Sequence, residues 1–74
     1  GDKMRQAKSI EDLPIGTPIQ LHTWLDSSQI ESKTYCGIIC QVWPKMVEIL
    51  YSDGVKMTYH SDELDYNKIF IVEL

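Results

Sequence analysis

Cys36, Cys40, His22 and His60 are the side chains of this 74-residue chain whose types could ligate a transition metal, and zinc is the chemistry they would suggest. Their spacing argues against it. The cysteines sit in a run, Thr34 to Trp43, that reads as a strand, where residues four apart are separated by roughly 13 Å at ~3.3 Å per residue. That is too far for a shared zinc ion or a disulfide. Each cysteine alternates with Ile38 and Val42 and is expected to behave as a small buried hydrophobe with a free thiol, in a reducing compartment. Cys40 with His60 offers a nucleophile and a base, but alternation is expected to turn Cys40 inward and His60 outward beside Lys56 and Thr58. Asp62, Glu63 and Asp65 have the spacing of a solvated acidic turn. The expectation is a non-enzymatic protein with no catalytic residues, no metal and no cofactor.

The aromatic residues carry more information. Alternation places Trp24, Tyr35, Ile39 and Trp43 opposite the apolar stripe that should fill the core, and these four residues are the expected binding face. Trp and Tyr are enriched at contact hot spots, and an exposed apolar patch on a small protein often marks an interface. The competing reading is that residues 1–16 or the long first loop fold over this face. Tyr51 and Tyr59 are expected in the core and Tyr66 on a loop surface; the alternative for these three rings is an aromatic cage for a methylated cation.

These residues must be positioned by short strands. From Thr17 to Leu25, Ile19, Leu21 and Leu25 oppose Gln20, His22 and Trp24, the period of two expected of a strand covered on one face. Asp26 to Lys33 is polar and Ser-rich, a natural binding loop. In Thr34 to Trp43, Cys36, Ile38, Cys40 and Val42 face one way and Tyr35, Gly37, Ile39, Gln41 and Trp43 the other. Pro44-Lys45 turns the chain into Met46 to Ser52, where Val47, Ile49 and Tyr51 alternate with Met46, Glu48 and Leu50. Asp53-Gly54 is a dipeptide suited to a type I′ turn, and Val55, Met57 and Tyr59 continue the pattern. Ser61 to Leu64 has the composition of one helical turn, and Lys68 to Leu74 closes the chain as a fifth strand. Before these strands, residues 1–8 carry only Met4 and Ala7 as apolar types and are expected to be frayed or a short solvated helix. Ser9 to Asp12 reads as a capped helical turn stopped by Pro14 and Gly16. The expected division is a tail and lead-in turn over 1–16 and an all-β, five-stranded Src-homology-3-like barrel over 17–74. An oligonucleotide-binding barrel competes, but it usually places a helix between strands that here are joined by two residues.

Composition narrows the partners. A chain of this length forms one core and buries roughly 60% of its unfolded surface. It is 43% hydrophobic and 24% charged, as a folded globular domain would be. No apolar run approaches the ~20 residues of a membrane span, and no charged-then-apolar leader is visible, so the expected setting is cytoplasmic and away from membranes. The net charge is −4, and residues 17–74 hold four basic against eight acidic side chains. An acidic body with scattered lysines argues against nucleic acid, which needs clustered Lys or Arg; weak stacking of single-stranded nucleic acid on the aromatics is the alternative function.

The segments Gly37-Ile38-Ile39, Val47-Glu48-Ile49-Leu50-Tyr51-Ser52-Asp53-Gly54 and Tyr59-His60-Ser61-Asp62-Glu63-Leu64 resemble small uncharacterised proteins of tailed, notably marine, bacteriophages, themselves similar to Tudor-like and Src-homology-3-like barrels. The likeness covers residues 15–74. It begins at Ile15-Gly16-Thr17-Pro18-Ile19, where such proteins often carry a Gly-Asp pair, and Thr17 departs from that pattern. The resemblance implies an accessory protein, in the host cytoplasm if phage-encoded, that binds a protein partner or itself, and it brings no catalytic residues.

Overall fold

The computed structural model describes residues 3–24 and 32–73, the side chains of Trp24 and Ser32 excepted. The protein is all-β. Six strands, β1 (Lys3–Gln6), β2 (Pro18–Trp24), β3 (Ser32–Trp43), β4 (Met46–Tyr51), β5 (Lys56–His60) and β6 (Ile69–Glu73), form one sheet in the order β1-β6-β2-β3-β4-β5. Every pairing is antiparallel. Five strands and a closed wall were expected; the described residues give six strands and a sheet whose two edges, β1 and β5, are not joined to each other.

The additional strand comes from the N-terminal segment. Instead of fraying, Lys3–Gln6 pairs with β6 from Lys3↔Glu73 to Gln6↔Phe70. All four of its side chains are exposed, which is why its hydropathy carries no strand signal. Backbone pairing and ion pairing hold it instead: Arg5 Nε lies 2.7 Å from Glu73, and the Ala7 N–H donates to the Ile69 carbonyl at 2.9 Å. Ala7 is thereby carried into the core.

Beyond it, Ile10–Asp12 forms the expected single 3-10 turn. Its cap differs from the expectation: Ser9 holds the N-cap position with no side-chain hydrogen bond, and Asp12 reaches back to accept from the Lys8 N–H at 2.8 Å. That bond, helped by nearby Arg5 and Lys8, holds the Asp12 carboxyl below its usual pKa. Pro14 to Thr17 then closes a β-turn, the Thr17 N–H donating to the Pro14 carbonyl at 3.1 Å, with Gly16 at φ +93°. Positive φ at the third residue is the requirement of a type II turn, and glycine meets it without steric cost.

The core comprises Ala7, Leu13, Ile19, Ile39, Val47, Ile49, Ile69 and Ile71. Seven of these eight are Leu, Ile or Val, and full burial of each such side chain is worth ~1.5–3 kcal/mol against exposure. Strands β2 and β4 present Ile19, Val47 and Ile49 in the phase the sequence predicts, with Leu21 packed against them, and β6 adds Ile69 and Ile71 at alternate positions.

Strand β3 breaks this phase. Ile39 is fully buried, whereas Cys36 and Ile38, expected inside, are exposed, Ile38 at 40%. The register with β4 runs Gly37↔Tyr51, Ile38↔Leu50, Ile39↔Ile49 and then jumps to Gln41↔Glu48 and Val42↔Val47. Cys40 is the extra residue of a β-bulge, which resets alternation so that Ile39 and Val42 both turn to the core although three residues apart. Backbone bonds fasten this point. Gly16 N–H donates to the Ile39 carbonyl at 2.7 Å, and Ile39 N–H donates to Thr17 at 3.0 Å.

The β4–β5 connection is a hairpin of a different kind from the predicted type I′ turn. The Tyr51 carbonyl accepts from the Gly54 N–H at 2.9 Å, the Tyr51 N–H donates to the Val55 carbonyl at 2.8 Å, and Gly54 has φ +91°. This is a turn around Ser52-Asp53 followed by a left-handed glycine that forms a bulge, the usual three-residue hairpin. Asp53 supports it by accepting from the Val55 N–H at 3.0 Å.

Candidate functional site

Of the four residues expected to share one outward face, the three whose side chains are described do not share it. Ile39 is in the core. Trp43 is exposed beside exposed Met46 at the β3–β4 hairpin, and since Val42 and Val47 face the core, alternation turns Trp43 to the opposite surface. The Trp24 side chain and most of the Asp26–Lys33 loop lie outside the described residues. Tyr35 and Trp43 both carry exposed rings, as expected, but Tyr35 keeps different company.

Tyr35 pairs with Leu21 across β2–β3, on the surface that continues the core. There its ring meets the edge of the Tyr51 ring at a centroid separation of 6.2 Å and an interplanar angle of 71°. The Lys33 ammonium stands 5.4 Å from the Tyr35 centroid, a cation–π distance. Tyr51 in turn shares a 2.9 Å hydroxyl–hydroxyl hydrogen bond with Tyr59. That pairing follows from the hairpin: Tyr51 ends β4, Tyr59 lies on β5 opposite Val47, and both side chains fall on one face. Burial first, and then the bond to Tyr59, raise the Tyr51 phenol well above its ordinary pKa.

Together Leu21, Tyr35, Tyr51, Val55, Met57 and Tyr59 line a groove of about 230 Å³, with Asp53 at its rim. Val55 is 48% and Met57 45% exposed, large values for apolar side chains on the core-continuing face of a sheet. The groove is therefore an open end of the core. A second hollow of about 160 Å³ shares Leu21, Tyr51 and Tyr59 with the groove and adds Glu63, Leu64 and Asp65. The chain between β5 and β6 forms this end. Ser61–Glu63 is a 3-10 turn with a reciprocal cap, in which His60 Nδ1 accepts from the Asp62 N–H and Glu63 accepts from the His60 N–H, both at 3.1 Å.

Sequence reasoning placed Tyr51 and Tyr59 in the core and did not join Tyr35, Val55 and Met57 to them. The signal was present in the parity of β4 and β5, which puts Tyr51, Val55, Met57 and Tyr59 on one face, but Tyr35 joins them only once Gly37 is seen opposite Tyr51.

Cys40 and His60 engage separate partners. Cys40 Sγ donates to the Glu48 carbonyl at 3.4 Å and to its Oε1 at 3.3 Å, while His60 caps its turn. Desolvation at the bulge, then the bond to Glu48 and its negative charge, hold the Cys40 thiol pKa above its ordinary value. Cys36 lies exposed on the outer surface. The thiolate is the reactive form, so brief iodoacetamide treatment of the native protein should alkylate Cys36 at least ~10-fold faster than Cys40. Peptide mass spectrometry showing equal rates would contradict the placement of Cys40 at the bulge.

Compared with known proteins, the chain matches no family model, no curated protein and no solved structure.

Proposed function

We propose that this chain is a small non-enzymatic interaction module, an Src-homology-3-like barrel of the phage accessory type acting in the cytoplasm, that binds a protein partner through the tyrosine-lined groove. The fold assignment is supported by the order β6-β2-β3-β4-β5 together with the 3-10 turns before the last strand. The binding reading is carried by one observation. Exposed Val55 and Met57 stand beside three tyrosines that hold one another in place by ring contact and hydroxyl bonding. Rigid amphipathic rings next to flexible Met surface lose little conformational entropy on contact and release water from apolar area, the composition of interface hot spots.

Peptides selected on this protein from a display library should lose at least ~10-fold in affinity toward Tyr35→Ala and toward Met57→Glu. Both positions are exposed, so circular dichroism should report an unchanged fold. Selected binders indifferent to both changes would move the contact away from the groove.

A further inference from the structure

The groove opens beside a sheet edge that, among the described residues, is paired on one side only, and the two together define the kind of partner. Hydrogen bonds flanking β5 give its phase: Tyr51 N–H to Val55 at one end and Ser61 N–H to the Lys45 carbonyl at the other. In an antiparallel ladder the residues that bond inward alternate with those whose backbone groups point away. Val55, Met57, Tyr59 and Ser61 thus bond toward β4 and its flanks, and Lys56 and Thr58 turn their N–H and C=O groups outward. The strand is the last in the sheet order. An extended segment laid along it would bond to Lys56 and Thr58 while its alternate side chains cover Met57 and Tyr59.

Charge selects among such segments. The two hollows joined at the Tyr51–Tyr59 bridge are lined by Asp53, Glu63 and Asp65 and, among the described residues, by no Lys or Arg. Over residues 17–74 the sequence carries eight acidic against four basic side chains. Tyrosine faces attract cations, as Lys33 over the Tyr35 ring already illustrates. A second copy of this chain would bring its own carboxylates to the same edge, and nucleic acid would bring phosphates. Both are disfavoured electrostatically.

Resting on the interaction-module reading above, we infer that the occupant is a basic peptide in extended conformation, added as a strand to β5 with Lys or Arg side chains directed over the tyrosine groove. Strand addition supplies sequence-independent hydrogen bonds, and the acidic aromatic groove supplies the preference for cations.

The test uses two synthetic peptides on the full chain: acetyl-Lys-Val-Lys-Val-Lys-Val-amide and its counterpart with Glu in place of Lys. The lysine peptide should bind at least ~10-fold more tightly, weaken ~5-fold as sodium chloride rises from about 0.05 to 0.5 M, and shift the amide resonances of Lys56 and Thr58. Methylating its backbone nitrogens should abolish binding, and the pair Asp53→Asn with Glu63→Gln should erase most of its advantage. Equal binding of both peptides at the groove would overturn the charge selection while leaving the interaction module standing. Binding that ignores Tyr35→Ala and Met57→Glu would remove the groove itself. A dimer formed through β5, or no binding of either peptide, would overturn the inference.

Discussion

Ile39→Ala should lower stability by ~3 kcal/mol, within the ~2–5 kcal/mol range of buried Ile truncations. Ile39 is fully buried among Val47, Ile49 and the other branched aliphatics of the core. Its backbone is held from both sides by Gly16 and Thr17, so the neighbours are poorly placed to collapse into the space left behind. A domain of this size is expected to have a total stability of only ~4–11 kcal/mol. The loss should appear as a fall in melting temperature of roughly 12–24 °C. The neighbouring change Ile38→Ala, at a side chain 40% exposed, should cost less than about 1 kcal/mol. Urea denaturation of the two variants side by side decides the matter. If Ile38→Ala proves the more damaging, the faces of β3 are reversed from those described, and the bulge at Cys40 is misplaced.

The second large effect is expected at Gly37. A β carbon there would stand 2.8 Å from Ile49 Cγ2, 3.0 Å from the Leu50 carbonyl oxygen and 3.3 Å from Tyr51 Cδ1. Ile49 is buried and the Leu50 oxygen is backbone, so neither gives way easily. The Tyr51 ring lies over the glycine, a close cover that a methyl group would lift. Gly37→Ala should therefore cost ~1–3 kcal/mol through overpacking, which exceeds the fraction of a kcal/mol gained by replacing glycine in a strand. The consequence reaches the groove, because displacing Tyr51 strains its hydroxyl bond to Tyr59 and its edge contact with Tyr35. Peptide affinity should fall along with stability, although Gly37 does not line the tyrosine groove. A Gly37→Ala variant as stable as the parent, with undiminished affinity, would show that the sheet yields at this point.

Both predictions turn on β3, where the sequence is least explicit. In β2 and the middle of β4 apolar residues alternate with polar ones, as in Ile19-Gln20-Leu21-His22 and Val47-Glu48-Ile49, so the buried face can be read directly. In β6 the four residues Ile69 to Val72 are all apolar, and packing alone selects Ile69 and Ile71 for the core. In β3 both alternating sets are half apolar: Cys36, Ile38 and Val42 on one side, Tyr35, Ile39 and Trp43 on the other. Alternation then offers two phases of nearly equal hydrophobicity. The structure uses one phase up to Ile39 and the other from Val42 onward, with Cys40 absorbing the change. A one-residue insertion in a ladder flips every later side chain, so Trp43, beyond the bulge, turns to the outer surface, whereas Tyr35 and Ile39, before it, both lie on the core side, Ile39 in the core and Tyr35 in a groove with partners from β4 and β5. β1 escaped notice for a different reason. Its four exposed side chains carry no apolar period, and its place is set by pairing with β6 from more than sixty residues away.

Local chemistry along the chain determined the all-β character, the meander around Ser52-Gly54, the 3-10 turns at Ile10–Asp12 and Ser61–Glu63, and the buried face of every strand with a clean period of two. Those features depend on neighbours within a few residues, whose spacing and backbone preferences are written in order. Tertiary structure alone decided that the N-terminal segment joins the sheet, that β3 changes face at Cys40, and that Tyr35, Tyr51, Tyr59, Val55 and Met57 meet at one open end of the core. Each of these depends on which strand lies opposite and at what register, and register is settled by the summed packing of both partners rather than by either segment's own pattern.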